Sequence, residues 1–590
     1  MKKQVSAIFA FSGIILLASC GGGTTTSSSS ASAESKDSSS SAESSSVASS
    51  SSEESLENYI FNKDLPRGAT TFIDEEGVEQ QLNFDRLYRN AGSPHVNSHP
   101  EGVQSKLLVA PIRFLKDEND PLDTIEANDD LYEHIRISFS GTHEEVRKVA
   151  GDMYSLEEFY NTSSYGLGGF EVNMLPTWVD YEGTAKDFAS ASNGSAGVYA
   201  ANYVRDWYIK EYAKENHGLL GADAEPISYF DADQDGYIDL VWNVYAYPYT
   251  QSTDWWAYVT YTSAAPNLKQ PNVKTLAWAS TNFMNSGFNG YDSHTFIHET
   301  GHTLGVNDFY DYNNTWKPMG SIDYMDQNLG DHNSYTKFAY GWTNPYVIEP
   351  VDLEGGKTAR VTLRAASPSG DCLVLASPGY NFTAFDEYLM IELVGPYGIA
   401  KEDYKNGYTN TTGFTEGGIR VLHIDARAYS NDHNTYYTDA DELGRKATDL
   451  RVCNTYGGRI GYRSDSDYWP YEDPITGKLT KNPYQEAALI EATVLDSNWT
   501  NSANYNATNA SLFHKGQRLN MTAESPWTTT FFPSKTNLWN KAKTITGWQK
   551  SEQVYDIDET CTCDYRMKVI NIVDDPTYGA VATVDISLIA

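Results

Sequence analysis

The sequence has few cysteines and few basic side chains for its length. Five Cys in 590 residues are too few for a fold held together by disulfides. Lys and Arg number 43 against 79 Asp and Glu, which gives a net charge of -36. We expect no nucleic-acid partner, because phosphate binding needs a basic surface. The same charge argues against a polybasic contact with anionic lipid.

Long apolar runs are absent after the N-terminus, so no membrane-spanning helix is predicted. The one apolar run, Ala7 to Ala18, follows Lys2 and Lys3 and has the length of a signal peptide. It leads into Ser19, Cys20 and three Gly. This resembles the bacterial lipoprotein signal, in which Cys20 becomes the lipidated first residue of the mature protein. An ordinary signal peptide with a chance cysteine is the alternative.

The next segment predicts a flexible tether. Residues 24–55 hold 18 Ser in 32 positions and no pattern that could form a core. As a random coil this length spans on the order of 30 Å. We therefore expect a signal peptide at 1–19, a lipidated Cys and tether at 20–55, and an exported protein anchored at the bacterial cell surface. Folded sequence is predicted to start near Leu56.

The remaining chain is apolar enough to form real cores, with 40% hydrophobic and 13% aromatic residues. Residues 106–114 and 238–245 have strand patterns, whereas 153–160 and 198–214 have helical spacing. Beyond about residue 350, short alternating runs such as 359–363, 388–393 and 581–588 predict a mainly β region. We expect an α+β domain at 56–350 and one or more mainly β domains at 351–590.

Two histidines four residues apart form the most informative motif. On a helix, His298 and His302 present their imidazoles to one point, and neutral imidazoles at this spacing bind zinc. The Glu299 carboxylate can reach a zinc-bound water without ligating the metal, which suits a residue that acts as a catalytic acid and base. Asp292 or Ser293 is expected to cap the start of this helix.

A third ligand is expected shortly after the helix. Gly305 can adopt a positive φ and end the helix, so that Asp308 returns towards the metal. Asp311 competes with Asp308 for this role, and a distant carboxylate also stays open. His294, one turn before His298, could be a fourth ligand, a wall of the substrate site or an ordinary helix histidine.

The pattern His-Glu-x-x-His-x-x-Gly-x-x-Asp is an Asp version of the metzincin signature, whose third ligand is more often His. Metzincins also carry a methionine turn beneath the metal. Met319 and Met325 are the candidates, and Met325 is favoured, although either could be a simple core residue. Tyr324 or Tyr335 could stabilise an oxyanion.

An acidic loop upstream predicts a second metal site. Its carboxylates fall at positions 1, 3, 5 and 9 of a calcium loop, with a glycine turn at position 6 and a backbone carbonyl at position 7. The residues concerned are Asp231, Asp233, Asp235, Gly236, Tyr237 and Asp239. Position 12 is Trp242 instead of a bidentate Glu, so a structural calcium ion is expected and not a calcium sensor. A simple acidic turn is the alternative.

These motifs together resemble the immune-inhibitor-A-like secreted zinc metalloproteases. The matching stretches are 155–166, the loop 231–239, the segment 298–308 and the region 326–342, with weaker similarity at 387–392 and 418–425. The resemblance implies a metzincin-like fold, zinc held by His298 and His302, catalysis by Glu299 and a less certain third ligand in Asp308.

The family usually has a long pro-segment, which is missing here. Only about 50 residues separate the tether from the strand near Leu107, and no cysteine between Cys20 and Cys372 could act as a zinc latch. Whether the protein is made as a zymogen therefore stays open. Cys372 and Cys453 could pair in an extracellular setting, whereas Cys561 and Cys563 are too close together to bond without strain.

The sequence thus predicts a surface-anchored zinc endopeptidase with a structural calcium ion, acting on extracellular proteins or peptides. The rival is a surface lipoprotein that binds carbohydrate or a host protein with little or no peptidase activity, motivated by 42 Tyr and 13 Trp. Packing in β cores also accounts for aromatics. An intact Glu299 favours the enzyme. Substrate preference and oligomeric state stay open.

Overall fold

The structure is a computed structural model in which Met1–Asn58 and Tyr59–Ala590 form separate units. Of the first unit it describes only Leu56–Asn58, a single 3-10 turn. The described residues are 56–87, 90–97, 103–150, 153–249, 254–285, 291–311, 317–377, 380–401, 403–409, 411–426, 428, 454, 470–472, 479–481, 486–493, 506–522, 525, 527 and 564–589. The predicted signal peptide, Cys20 and the tether lie outside these residues, as do Cys453, Cys561 and Cys563.

The described helices are α1 Phe84–Leu87, α2 Asp129–Ser140, α3 His143–Ala150, α4 Leu156–Ser163, α5 Ala185–Ser192, α6 Ala196–Tyr212, α7 His294–Thr303, α8 Ser334–Ala339, α9 Ala366–Ser369 and α10 Asp403–Asn406. None of the described helices is both long and apolar enough to span a membrane.

The described strands are β1 Tyr59–Phe61, β2 Thr71–Ile73, β3 Glu79–Gln81, β4 Ser105–Arg113, β5 Phe170–Met174, β6 Val179–Asp180, β7 Tyr237–Ile238, β8 Leu240–Tyr245, β9 Tyr258–Tyr261, β10 Asn272–Val273, β11 Thr275–Ser280, β12 Tyr346–Ile348, β13 Thr358–Arg364, β14 Leu373–Ala376, β15 Glu387–Val394, β16 Gly418–Asp425, β17 Pro470–Glu472, β18 Leu479–Lys481, β19 Ala487–Ile490, β20 Arg518–Asn520, β21 Tyr565–Asp575 and β22 Gly579–Leu588.

The predicted elements are confirmed, with shifts at their ends. The helix expected at 153–160 begins at Leu156, because the Ser155 hydroxyl accepts a hydrogen bond from the Glu158 backbone and caps it. The strand expected at 238–245 is divided into β7 and β8 by Asp239. The Asp239 carboxylate accepts hydrogen bonds from the backbone N–H groups of Lys106 and Ala232.

One sheet positions the predicted zinc helix. Its strand order is β5-β4-β8-β11-β9, and β6 pairs with one end of β4. All pairings are parallel except that of β9 with β11, which is antiparallel. Among the described strands β9 is therefore an outer strand, with one row of backbone groups not used by the sheet.

Helices cover both faces of this sheet, which explains the continuous apolar run in β4. Leu108 and Ile112 face the cluster that contains α6, whereas Leu107 and Val109 face the cluster that contains α4 and α7. The period of two along the strand thus divides its side chains between two cores.

Two further sheets are built mainly from residues after 345. One has the order β12-β14-β15-β16-β19 and the other β1-β13-β22-β21-β20. The N-terminal strand β1 pairs in parallel with β13, so residues 59–61 belong to a sheet built largely from the C-terminal part. One hydrophobic cluster contains residues from both sides of position 350, including Phe84 and Phe385. The division into domains at 350 stays a prediction.

Candidate metal centres

The zinc motif lies on α7, a helix whose sequence has little intrinsic stability. It contains Gly301 and three Thr, all weak helix formers. Tertiary contacts hold it instead. The Tyr160 hydroxyl donates to the Ile297 carbonyl at 2.6 Å, and the indole N–H of Trp242 donates to the Thr300 hydroxyl at 3.0 Å.

Three predicted ligands converge at one point. Nε2 of His298 lies 2.9 Å from Oδ1 of Asp308, and Nε2 of His302 lies 3.3 Å from the same oxygen. The three potential ligand atoms all lie within 4.8 Å of one another. His298 and Asp308 side chains are 7% exposed and that of His302 is 18% exposed, so the cluster is buried on one side and open towards His302.

Backbone carbonyls hold the other nitrogen of each imidazole. Nδ1 of His298 is 2.9 Å from the Tyr324 carbonyl oxygen, and Nδ1 of His302 is 3.0 Å from that of Val306. A carbonyl only accepts, so each Nδ1 carries the proton. When an imidazole is neutral, its Nε2 lone pair then faces Asp308, which is the arrangement that a metal-binding histidine requires.

The two imidazoles and the carboxylate of this cluster shift one another's pKa values. Burial alone lowers the pKa of His302, but the Asp308 carboxylate raises it to about 9. Burial also lowers the pKa of His298, and the hydrogen bond and charge of Asp308 raise it above its usual value. The two imidazoles in turn hold the pKa of Asp308 well below its ordinary range, against the effect of burial. A divalent cation would take the place of these protons.

The donor set fits zinc. Two imidazole nitrogens and one carboxylate oxygen are ligands that zinc prefers, and three protein ligands leave a coordination position for water or substrate. Asp311, the competing third ligand, is buried but does not belong to the described group of converging ligand atoms.

Glu299 directly follows the first ligand in the sequence. Within α7, only Glu299 and His302 are partly exposed, and the other residues are buried. Burial raises the pKa of the Glu299 carboxyl, an effect opposed by the two imidazoles. A raised pKa suits a group that takes up and returns a proton near neutral pH.

The helix ends where the sequence predicts, and a turn that contains Met325 follows it. Gly305 has φ +97°, which confirms the predicted helix stop. A β-turn over 323–326 follows, with the Asp326 N–H donating to the Asp323 carbonyl. Met325 in this turn is buried beneath α7, because a methyl group at Gly301 would lie 2.8 Å from its Sδ. The role of Met325 stays a prediction.

Of the two expected capping residues, Asp292 binds a backbone donor of the first turn, although Ser293 is the N-cap residue. Oδ1 of Asp292 accepts from the His294 backbone N–H at 3.0 Å. The Ser293 hydroxyl instead donates to the Tyr154 carbonyl. Nδ1 of His294 lies against Asp292 and Nε2 against Asp403, so this histidine does not face the ligand cluster.

The acidic loop gathers three of its four predicted carboxylates. Asp231, Asp233 and Asp239 each bring an oxygen within 4.8 Å of the others. Oδ1 of Asp231 is buried and has no hydrogen-bond partner among the described residues. Asp235 is engaged elsewhere, since its carboxylate accepts from the backbone N–H groups of Gly92 and Tyr237.

Burial makes negative charge costly in this loop. It raises the pKa of Asp239 to about 8 and that of Asp231 to about 6, and neighbouring carboxylates add to both shifts. Gly236 has φ +89°, as the predicted sharp turn requires. A bound Ca²⁺ would offset the repulsion and use the unpaired oxygen of Asp231.

Comparison of the chain with protein-family models and with curated proteins gave no match. The resemblance to immune-inhibitor-A-like proteases therefore rests on the motif residues, and the geometry of the two centres is the main support for a function.

Sequence reasoning missed two neighbours of the centres. The Tyr310 hydroxyl hydrogen bonds to Asp308, and its ring is 6.4 Å from that of His298. Nε2 of His95 lies 3.1 Å from Asp233 of the acidic loop. Tyr310 follows Asp308 by two residues, so its closeness to the ligand could have been predicted from the sequence. No local pattern in the sequence connects residues 95 and 233.

The two tyrosines considered for stabilising an oxyanion, Tyr324 and Tyr335, make contacts with residues other than the three ligands. The Tyr335 hydroxyl donates to Glu486 at 2.7 Å. Tyr324 is 2% exposed and its ring stacks at 6.0 Å from that of His294. Cys372 is buried, with its Sγ 3.7 Å from the Gly370 carbonyl oxygen.

Proposed function

We propose that this protein is a zinc-dependent endopeptidase. The observation that carries the proposal is the convergence of His298, His302 and Asp308, with both imidazoles oriented by backbone carbonyls and Glu299 partly exposed beside them. A zinc ion held there supplies a Lewis acid that polarises the scissile carbonyl and lowers the pKa of water.

The residues of the chain perform the proton transfers. The Glu299 carboxylate accepts a proton from the attacking water and returns it to the leaving amine, as one group acting first as base and then as acid. Burial raises the pKa of this carboxyl, and the charges of His302 and His298 oppose that effect. The backbone carbonyls of Tyr324 and Val306 accept hydrogen bonds from the Nδ1–H groups of His298 and His302 and hold the two imidazoles in fixed orientations.

The outer strand β9 gives a place for an extended substrate. The Tyr261 hydroxyl is 3.5 Å from the His302 carbonyl oxygen, so β9 runs beside α7. A peptide that adds to the outer edge of β9 would form main-chain hydrogen bonds and pass close to Glu299. The charge of Glu299 raises the pKa of Tyr258 on the same strand, after the larger effect of burial.

The predicted calcium ion has a structural role in this proposal. The loop 231–239 precedes β8 and contacts β4 through the Lys106 N–H, which donates to Asp239 at 2.7 Å. A cation there would stabilise the start of the sheet on which α7 packs.

We further propose that a lipid on Cys20 and the tether hold the enzyme at the bacterial cell surface. The rival function, carbohydrate or host-protein binding, has weaker support. Among the described residues, Tyr249 and Tyr258 are the exposed aromatic side chains, at 38% and 39%, and most other large aromatics lie in the cores.

The test is cleavage of a diverse peptide library by the purified full chain. We expect internal peptide bonds to be cut, activity to be lost with a zinc chelator, and activity to return with Zn²⁺. A zinc-loaded, folded protein that cleaves no peptide in such a library would contradict the proposal and favour a binding function.

A further inference from the structure

A buried imidazole lies between two carboxylates at the start of α7. Nδ1 of His294 is 2.5 Å from Oδ1 of Asp292, and its Nε2 is 3.0 Å from Oδ1 of Asp403. The side chains of His294, Asp292 and Asp403 are 1%, 0% and 7% exposed. Asp292 is a neighbour in sequence, but Asp403 is 109 residues away.

Asp403 also contacts the segment that follows the methionine turn. Its second oxygen accepts a hydrogen bond from the Gly330 backbone N–H. One carboxylate therefore joins the first residue of α7 to the chain that follows Met325. The Tyr324 carbonyl of that turn orients His298. Asp403 is therefore connected to His298 in two ways, through the first turn of α7 and through the segment that holds Tyr324.

A second side chain from the same segment contacts the first turn of α7. The Tyr408 hydroxyl is 2.9 Å from the Thr295 hydroxyl, and the Tyr408 ring is 4.7 Å from that of His294. Residues 403–408 thus make two polar contacts with a helix that has no side-chain bond from its N-cap residue Ser293.

The charge arrangement suits the helix only because both carboxylates are present. A cation at a helix N-terminus opposes the helix dipole. Two carboxylates around one imidazolium give this end a net negative charge, which the dipole favours. Burial alone would lower the pKa of His294, yet Asp292 and Asp403 raise it to about 10, so the imidazole is protonated at neutral pH.

We propose that Asp403, with Tyr408, positions the zinc helix. The segment 403–408 fixes the first turn of α7 and, one turn further on, the imidazole of His298. Asp403 is a positioning residue and touches neither metal nor substrate. The consequence for zinc rests on the proposed function, whereas the effect on the helix does not. The part of the chain beyond residue 400 is then required for the geometry of the metal centre.

The test compares amide hydrogen exchange in the full chain with that in Asp403→Asn. We expect residues 294–303 to exchange about tenfold faster or more in the variant, while β8 at 240–245 stays protected. Glu387→Gln is the matched control, because Glu387 forms another buried pair with an imidazole, 3.0 Å from His423, on β15 and β16. This control should not change exchange in α7.

Zinc affinity, measured by competition with a chelator, is the second readout. Asp403→Asn should weaken it by about tenfold or more, and Glu387→Gln should not. If the native chain binds no zinc, the proposed function fails, and the exchange experiment still decides the positioning role.

Unchanged exchange of 294–303 in Asp403→Asn would overturn the proposal. Equal acceleration in β8, or in α7 of Glu387→Gln, would also overturn it, because the effect would then be general destabilisation. If Asp403→Asn does not fold, Tyr408→Phe decides by the same measurement. Tyr408→Phe removes only a hydroxyl, but it should still speed amide exchange selectively in the first turn of α7. An exchange rate there equal to that of the native chain would count against the proposal.

Discussion

His298 and Asp308 are ten residues apart in the sequence, and Nε2 of His298 lies 2.9 Å from Oδ1 of Asp308. With Nδ1 donating to the Tyr324 carbonyl, a neutral His298 presents a lone pair to a carboxylate that also only accepts. Two acceptors at this distance need a proton or a metal cation between them. The pair is therefore suited to hold a metal cation.

The first prediction concerns the third ligand. Asp308→Asn should weaken zinc binding by at least about 100-fold, since loss of a direct ligand should cost no less than loss of an outer partner. Asp311→Asn, a change of the same size three residues away, should retain zinc. Calorimetric titration of the metal-free proteins measures both. The reverse result would make Asp311 the ligand.

The second prediction concerns Glu299→Gln. We expect kcat to fall by about 10²–10⁴, because an amide cannot take the proton of the attacking water. Zinc content and melting temperature should stay close to native values. Glu144→Gln is the control, because Glu144 also follows a histidine on a helix but is exposed and pairs with Lys148. Native turnover in a zinc-loaded Glu299→Gln protein would remove Glu299 from the mechanism.

The third prediction is that calcium stabilises the fold without taking part in catalysis. Removing Ca²⁺ while zinc stays bound should lower the melting temperature and speed proteolysis, with activity at low temperature largely retained. Binding to the folded state alone contributes about 2.7 kcal/mol at a hundredfold excess over Kd. Asp231→Ala with Asp233→Ala should abolish this calcium dependence.

A charge-matched control separates ion binding from net charge. Glu118→Ala with Glu126→Ala also removes two carboxylates from a chain of net charge -36, at exposed positions outside the loop. That protein should keep its calcium-dependent melting temperature. If the loop variant melts at the native temperature and responds to calcium as the native chain does, the loop is only an acidic turn.

The fourth prediction is a pH dependence of stability from His294. Its folded-state pKa of about 10 exceeds the value of about 6.5 for a free imidazole, so the folded state binds this proton more tightly. The resulting stabilisation is fully present below about pH 6.5 and is lost as the pH rises towards 10. Among the described residues, the charged and titratable groups that face His294 include Asp292, Asp403, Tyr324 and Tyr408.

Thermal melts from pH 6 to pH 10 measure this contribution. The native chain should lose more stability across that range than His294→Gln, which cannot carry the charge. Parallel pH curves for the two proteins would show that His294 does not change its protonation on folding.

The fifth prediction concerns the anchor. Cys20→Ala should release the protein from the membrane fraction or block its processing, because the modified cysteine is the expected attachment. Ser19→Ala, which keeps a small residue before the cysteine, should leave membrane attachment intact. Normal processing with full membrane retention in Cys20→Ala would place the attachment elsewhere.

The local parts of the fold and site were predictable from sequence. The spacing of His298 and His302 defines one helix face, and Gly305 marks the helix end through its backbone freedom. The strand at 105–113 is visible because a strand buried on both faces has a continuous apolar run. In each case the signal lies within about ten residues, the range over which backbone periodicity and turn chemistry act.

Tertiary structure alone decided the remaining contacts. It paired strand 59–61 with 358–364 and brought Asp403 to His294. These relationships depend on how distant segments pack, and a single sequence carries no local signal for them. A buried imidazole or carboxylate must find a partner when water is excluded, but only the folded chain determines which partner is within reach.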